Sequence, residues 1–361
     1  MHDVVQDSAL GQRVELILQQ VDSLPTLSPI AIRILELAGS SETAIDEIVR
    51  LIESDPSLSV KLLTLCRRAD RGLGAAVQTV ERAVVLLGLD AVRAAVLSFE
   101  VFEAIESRTE EEEALASAAA ESEQSSYKRK NLWRYLIAIA CAAELLAERH
   151  QYEQHVNPEE AFLCGLLSGL GMLALDRVLP RSFAKAAAVA ERKQRNIDAI
   201  EKQLLGMDHH TAGKRLAEHW KLPHVLQDCM WLVGQHPSAL PELPHWHMVA
   251  LVTAAAEIAR SQHIGWSGNF TPSSDIHAIA SAAGLDARGM DQTIRVLPER
   301  VADRAQLIGL DDVEDRELLL ESVMAANKKL GRLAELFDER SRRAERHAKV
   351  IESISRFNAY S

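Results

Sequence analysis

Pro158-Glu159-Glu160-Ala161-Phe162-Leu163-Cys164-Gly165-Leu166-Leu167-Ser168-Gly169-Leu170-Gly171 is the stretch whose reading decides the fold. It opens a predicted helix over 158–176. No strand alternation or hairpin signal precedes it, so Ser168-Gly169-Leu170-Gly171 is not the strand–turn–helix elbow of a serine nucleophile. Working outward, helices are predicted at 131–150, 181–191, 196–205, 209–220, 223–235 and 245–263, with a loop at Gly265–Ser274.

Upstream, residues 8–104 read as short helices with clear punctuation. Ser28 caps a helix with Pro29 at its first position. Thr43 and Asp46 resemble a capping box. Asp55-Pro56 and Thr79 start two more helices, and Gly88 reads as a left-handed cap before a last helix from Asp90 to Ile105. Composition agrees with this all-α reading: hydrophobic residues make up 47% and aromatics only 4%, with Ala and Leu abundant. Strands are enriched in aromatic and β-branched residues, so that balance favours helix packing.

Four blocks follow: 1–106, an N-terminal helical subdomain; 107–126, an acidic Ala- and Ser-rich linker or insertion containing Glu110–Glu113; 127–312, a second helical domain; and 313–361, a long C-terminal helix. In that last helix Leu319, Val323, Ala326, Leu330, Leu333 and Phe337 alternate at heptad spacing. Ala344, Ile351 and Ile354 continue the seam after polar breaks. A homodimeric coiled coil through 314–358 is one reading; packing of its first half on its own domain is the other.

The formal net charge of −12 argues against a nucleic-acid partner. The longest apolar run noted, Leu136 to Ala147, carries Glu144 and is too short to insert in a membrane. Cys66, Cys141, Cys164 and Cys229 include no CxxC pair and read as buried free thiols of a reducing, cytoplasmic location.

Several stretches resemble the HDOD (HD-related output domain) family. They are Leu24-Pro25-Thr26-Leu27-Ser28-Pro29, Ile52-Glu53-Ser54-Asp55-Pro56, Ala83-Val84-Val85-Leu86-Leu87-Gly88-Leu89, Leu132-Trp133-Arg134, the stretch quoted first, Gly206-Met207-Asp208-His209, and His219-Trp220-Lys221-Leu222-Pro223. The resemblance covers about residues 15–310. It implies an N-terminal helical subdomain packed on a degenerate bundle similar to HD phosphohydrolases and HD-GYP phosphodiesterases. It also implies a regulatory role beside cyclic-di-GMP enzymes, histidine kinases or receivers. The tail resembles a signalling helix leading to such an effector; none follows residue 361, as expected for a piece of a longer chain.

An HD hydrolase needs a histidine, an adjacent His-Asp pair and a later aspartate, which together hold metal that activates water. At the matching positions stand Tyr135, then Ser168 and Gly169, and a helix Val249–Ala259 that offers Thr253 and Glu257 but no aspartate. No metal, other cofactor or catalytic residue is therefore expected, and a pocket left near Tyr135 and Ser168 is expected to have collapsed into core. The other histidines read as structural. His209 and His210 follow the N-cap Asp208, His236 sits at a helix end, and His245 and His247 flank Trp246 on different helix faces. A site assembled from His209, His236 and His245 requires the fold to bring them together.

The expected function is a non-catalytic signalling module. It binds a ligand, a signalling protein or an effector domain, and relays that event through its tail. A divergent metal-dependent HD phosphohydrolase and a scaffold without ligand sensing are the alternatives.

Overall fold

A helix that is apolar all round belongs in the middle of a protein. The computed structural model places the helix Arg129–Arg149 there, with Leu132, Trp133 and every residue from Tyr135 to Ala147 buried. The structure describes residues 2–37, 42–69, 79–107, 126–149, 156–272 and 275–307, together with Thr109, Glu112, Ala114 and Ala118. These belong to one compact unit, Met1–Leu310. The predicted helix 313–361, with its seam over 314–358, lies outside the described residues.

In chain order the helices are α1 (His2–Asp22), α2 (Pro29–Glu36), α3 (Glu42–Glu53), α4 (Pro56–Ala69), α5 (Val80–Leu87), α6 (Leu89–Glu106), α7 (Arg129–Arg149), α8 (Pro158–Leu167), α9 (Leu170–Val178), α10 (Pro180–Lys193), α11 (Ile197–Leu205), α12 (His209–His219), α13 (His224–Leu232), α14 (Trp246–Ser261), α15 (Ile276–Ala282) and α16 (Ala287–Leu307). Among the described residues the only β pairing is an isolated bridge, Asn196 with Asn269, so the chain is all-α. Helices α2–α6 pack on one another, while α7 packs against α8, α14 and α16.

Most predicted starts stand where expected. Ser28 Oγ accepts from Ala31 N at 3.1 Å, Asp55 Oδ1 from Ser57 N at 2.8 Å, and Thr79 Oγ1 from Arg82 N at 3.3 Å. Three expectations are corrected. Helix α3 already begins at Glu42, so Thr43 lies inside it rather than capping it. Gly88 has φ +82° but ψ 158°, so it bends the chain from α5 into α6 without the left-handed cap geometry. The single helix 158–176 is two, α8 and α9, broken at Ser168 and Gly169.

Pro158–Val178 is long and apolar enough to cross a membrane by length and composition, a longer such stretch than Leu136–Ala147. Yet 89% of its most apolar window is buried inside the bundle, as the core of a helical domain requires. Small residues let these core helices touch. A Cβ at Gly165 would lie 2.7 Å from Ala140 Cα, and one at Gly171 would lie 1.9 Å from the His209 carbonyl oxygen. Thus α8 meets α7, and α9 meets α12, backbone against backbone.

Helix α1 packs on α9 and α12. Asp22 takes a bidentate ion pair from Arg215, with Nε to Oδ1 at 2.8 Å and Nη2 to Oδ2 at 2.6 Å. Just beyond, Trp220 Nε1 donates to the Pro25 carbonyl at 3.1 Å. Much of 107–126 lies outside the described residues. Within it Thr109 and Glu112 exchange the two bonds of a capping box, at 2.8 Å and 3.2 Å.

Candidate functional site: a filled HD-like centre

Three elements converge where the sequence places its lost metal ligands: α7, the α8–α9 break, and α14. Tyr135 is buried on α7, and its hydroxyl donates to the Ala256 carbonyl of α14 at 3.1 Å. Burial, reinforced by the nearby Glu257 carboxylate, pushes the Tyr135 hydroxyl well above the usual tyrosine range; it stays a neutral donor. Ser168 is buried and donates back to the Gly165 carbonyl of its own helix, at 2.8 Å. Thr253 is also buried, and its hydroxyl accepts from Gly234 N at 3.4 Å. Glu257 is bound to Arg260, whose Nε meets Oε2 at 2.8 Å and whose Nη1 donates to the Thr271 carbonyl at 2.9 Å.

Gly169 shows what became of the space. A Cβ there would stand 2.5 Å from Leu136 Cδ2 and 3.1 Å from Met172 Cε. Leu136, the neighbour of Tyr135, therefore fills the room that a side chain at 169 would need. At Gly169, beside the expected collapse near Tyr135 and Ser168, the room is taken up by core. Among the described residues no three His, Cys, Asp or Glu side chains form a group able to hold a metal ion. The described residues do not fit an HD-type metal. A measurable consequence follows. Gly169→Ala should cost about 1–3 kcal/mol by overpacking. Adding Leu136→Ala should recover about 1 kcal/mol relative to the sum of the single changes, a coupling read from a double-mutant cycle in urea.

The histidines separate. His209 at the start of α12 pairs with Glu201 of α11, Nδ1 to Oε2 at 2.6 Å, and the same carboxylate oxygen accepts the His209 backbone N–H at 2.9 Å. Burial works to lower the His209 pKa, but Glu201 outweighs it and the net direction is upward. Asp208 caps α12 through Thr211 N at 2.9 Å and pairs with Lys202 at 2.8 Å. Although burial opposes ionisation, those bonds hold its carboxyl far below the usual range. His210, whose ring lies 4.1 Å from that of His209, is pushed down to about 3 by burial and by its charged neighbour. His236 is corrected: it caps the start of a short 3₁₀ turn, its Nδ1 accepting from Ser238 N at 3.3 Å, rather than closing a helix end. His245 binds Asp228 of α13 at 2.9 Å. His209 and His245 thus have separate carboxylate partners, and they do not meet His236 in a metal-holding group.

His210 gives the pH dependence a sign. Unfolded, it takes a proton near pH 6.5; folded, it resists until about 3. Between those values the unfolded chain binds more protons, so stability falls as pH drops, by up to about 1.4 kcal/mol per unit. Urea midpoints between pH 6.5 and 4.5 should fall for the native chain and less steeply for His210→Gln.

Two polar features escaped sequence reasoning. Glu201 lies on the buried stripe of α11 with Ile197, Ile200 and Leu205; a charged residue on an apolar face is the signal that points to it. At the C-terminus of α6, Arg177 Nη1 donates to the carbonyls of Ala104 at 3.0 Å and Ile105 at 2.9 Å. Arg129 binds Asp176 and Glu106, the latter at 2.7 Å. Glu106 also accepts from Trp133 Nε1 at 2.7 Å. An acidic residue is unfavourable at a helix C-terminus, and two arginines distant in sequence offset it. All four cysteines are free and buried. Burial, with Cys229 as hydrogen-bonding neighbour, pushes the Cys164 thiol far up.

The fold is an all-α bundle in which Tyr135, Ser168 and Thr253 are buried. The HDOD domain family matches residues 24–233, more than half of the 361-residue chain, and the chain belongs to that family. No curated protein matches it. Among solved structures, an HDOD domain protein of unknown function from Geobacter sulfurreducens is 22% identical with a TM-score of 0.64, covering 85% of this chain and 99% of that one. A protein from Shewanella amazonensis SB2B, provisionally named a phosphohydrolase, is 23% identical with a TM-score of 0.61, covering 81% and 97%. A protein from Marinobacter aquaeolei VT8, provisionally named for signal transduction, is 20% identical with a TM-score of 0.65, covering 85% and 66%. At these identities the likeness is one of fold.

Proposed function

We propose that this HDOD domain is a non-catalytic regulatory module of bacterial signal transduction. It works in the cytoplasm, binds a partner domain or small ligand, and passes a packing change through 313–361 to an effector of cyclic-di-GMP-enzyme or histidine-kinase type. The observation that carries this reading is Leu136 standing 2.5 Å from where a Cβ at Gly169 would sit. Restoring a His-Asp pair at 168 and 169 would require both new ligands and a moved core side chain. Family membership and the name of the Marinobacter protein favour signalling; the Shewanella name keeps hydrolysis as the rival.

Elemental analysis of the purified full chain should find Mn, Fe and Zn well below one ion per chain, and cyclic dinucleotides and nucleotide monophosphates should survive incubation. Stoichiometric metal, with turnover that a chelator abolishes, would replace this reading by the divergent phosphohydrolase. A thermal-shift screen of nucleotides and metabolites separates sensing from scaffolding. A ligand at 100 times its Kd stabilises by about 2.7 kcal/mol, and a screen without any stabiliser favours the scaffold. Removal of 313–361 should convert a homodimer to monomer in light scattering.

A further inference from the structure

Helix α16 lies along α7 with a polar and an apolar residue in exchanged places. Met290, Leu297 and Val301 are buried and fall within about 40° of one another around the helix axis. Two residues flank that stripe at similar angles, about 60° to one side and about 40° to the other. On the first side stands Thr293, fully buried, whose hydroxyl has no hydrogen-bond partner among the described residues. On the second stands Ile294, only half-buried. Burial of apolar surface alone would turn the helix the other way, hiding the isoleucine and returning the hydroxyl to water.

The observed rotation is held by Arg300, which lies about 20° from Thr293 on the same flank. Its Nη1 donates to Glu144 Oε2 of α7 at 2.9 Å and lies 3.6 Å from Glu148 Oε1. Glu144 is buried, whereas Glu148, one turn further along α7, is more exposed and can keep the guanidinium as it moves outward. Cys141, buried one turn before Glu144, donates from Sγ to the Arg300 carbonyl at 3.8 Å. Pro298, on the exposed side, has no N–H to give the Ile294 carbonyl. The helix is therefore least bound to itself where a turn has to be absorbed.

We propose that α16 has two registers on α7. One is that of the structure, held by Arg300 on Glu144. The other is rotated by about 40°, so that Thr293 is hydrated, Ile294 is buried and Arg300 pairs with Glu148 while water reaches Glu144. Use of this rotation to relay a signal rests on the regulatory reading above; the two registers do not.

Maleimide modification of the full chain, assigned to each cysteine by peptide mass spectrometry, tests this. Turning the Arg300 flank outward lifts α16 off Cys141. When opening and closing outpace modification, the rate follows the population of the open form. Cys164 on α8 and Cys229 on α13 are buried too and report opening of the bundle as a whole. In the native chain Cys141 should react at least about tenfold faster than either. Its rate should stay flat in low urea while theirs rise, because rotation exposes little surface. Ile294→Ala weakens the second register most and the unfolded state not at all, so it should slow Cys141 at least about threefold while speeding Cys164 and Cys229. Thr293→Val removes the unpaired hydroxyl from the observed register and should slow Cys141 at least about fivefold. Cys141 following Cys164 and Cys229 in urea and in Ile294→Ala would overturn the proposal, as would an unchanged Cys141 rate in Thr293→Val. No ligand, partner or effector enters the measurement, so that outcome would leave the signalling reading standing.

Discussion

Gly171→Ala is expected to cost about 3 kcal/mol or more, at or above the upper end for an overpacked core. The added Cβ would lie 1.9 Å from the His209 carbonyl oxygen and 2.8 Å from Gly213 N. Both are backbone atoms of α12, so neither can rotate away as Leu136 can at Gly169. Relief requires α9 and α12 to move apart, which opens the buried contacts of both helices. Gly11 on α1 is the matched control, since nothing lies within 4 Å of a Cβ there. Gly11→Ala should stabilise by about 0.5–1 kcal/mol through helix propensity. Equal urea midpoints for Gly171→Ala and the native chain would mean that α9 and α12 do not approach this closely.

Glu201→Ala should be the next most damaging change. Without the carboxylate, burial drives the His209 ring neutral, and both Nδ1 and the His209 backbone N–H lose their buried partner; each buried polar group left unpaired costs about 1–3 kcal/mol. Glu201→Gln keeps an acceptor for both N–H groups and should cost clearly less. The His209 pKa is raised, so the stability it contributes is complete below pH 6.5 and is lost as pH rises through the folded value. That alkaline decline should vanish in Glu201→Ala, whereas a purely steric defect would lower stability equally at every pH.

Legibility from sequence followed the range of the interactions. Capping is local, so Ser28, Asp55, Thr79 and Asp208 were readable from a few neighbours. Tyr135, Ser168 and Gly169 were picked out because they follow the quoted motifs Leu132-Trp133-Arg134 and Gly165-Leu166-Leu167. Sequence could not show that Leu136 stands against Gly169, since that contact joins two helices more than 30 residues apart. The break between α8 and α9 was missed because Ser and Gly are both tolerated inside helices. Helix α16 was missed because Pro298 lies within it and proline reads as a stop. The arginine clamp on α6 depends on Arg129 and Arg177, each more than 20 residues from the carbonyls it serves.

The apolar stretch Pro158–Val178 has a consequence during synthesis. Its partner α7 precedes it, but α14, which packs on both α7 and α8, ends only at Ser261. At about 5–20 residues per second, roughly 4–17 s separate the translation of Val178 from that of Ser261. For that interval the ribosome displays a segment with the hydrophobic length of a bilayer span, and trigger-type holdases or membrane-targeting particles that survey nascent chains will compete for it. Slowing translation between codons 178 and 261 should therefore lower soluble yield more than slowing it after codon 307.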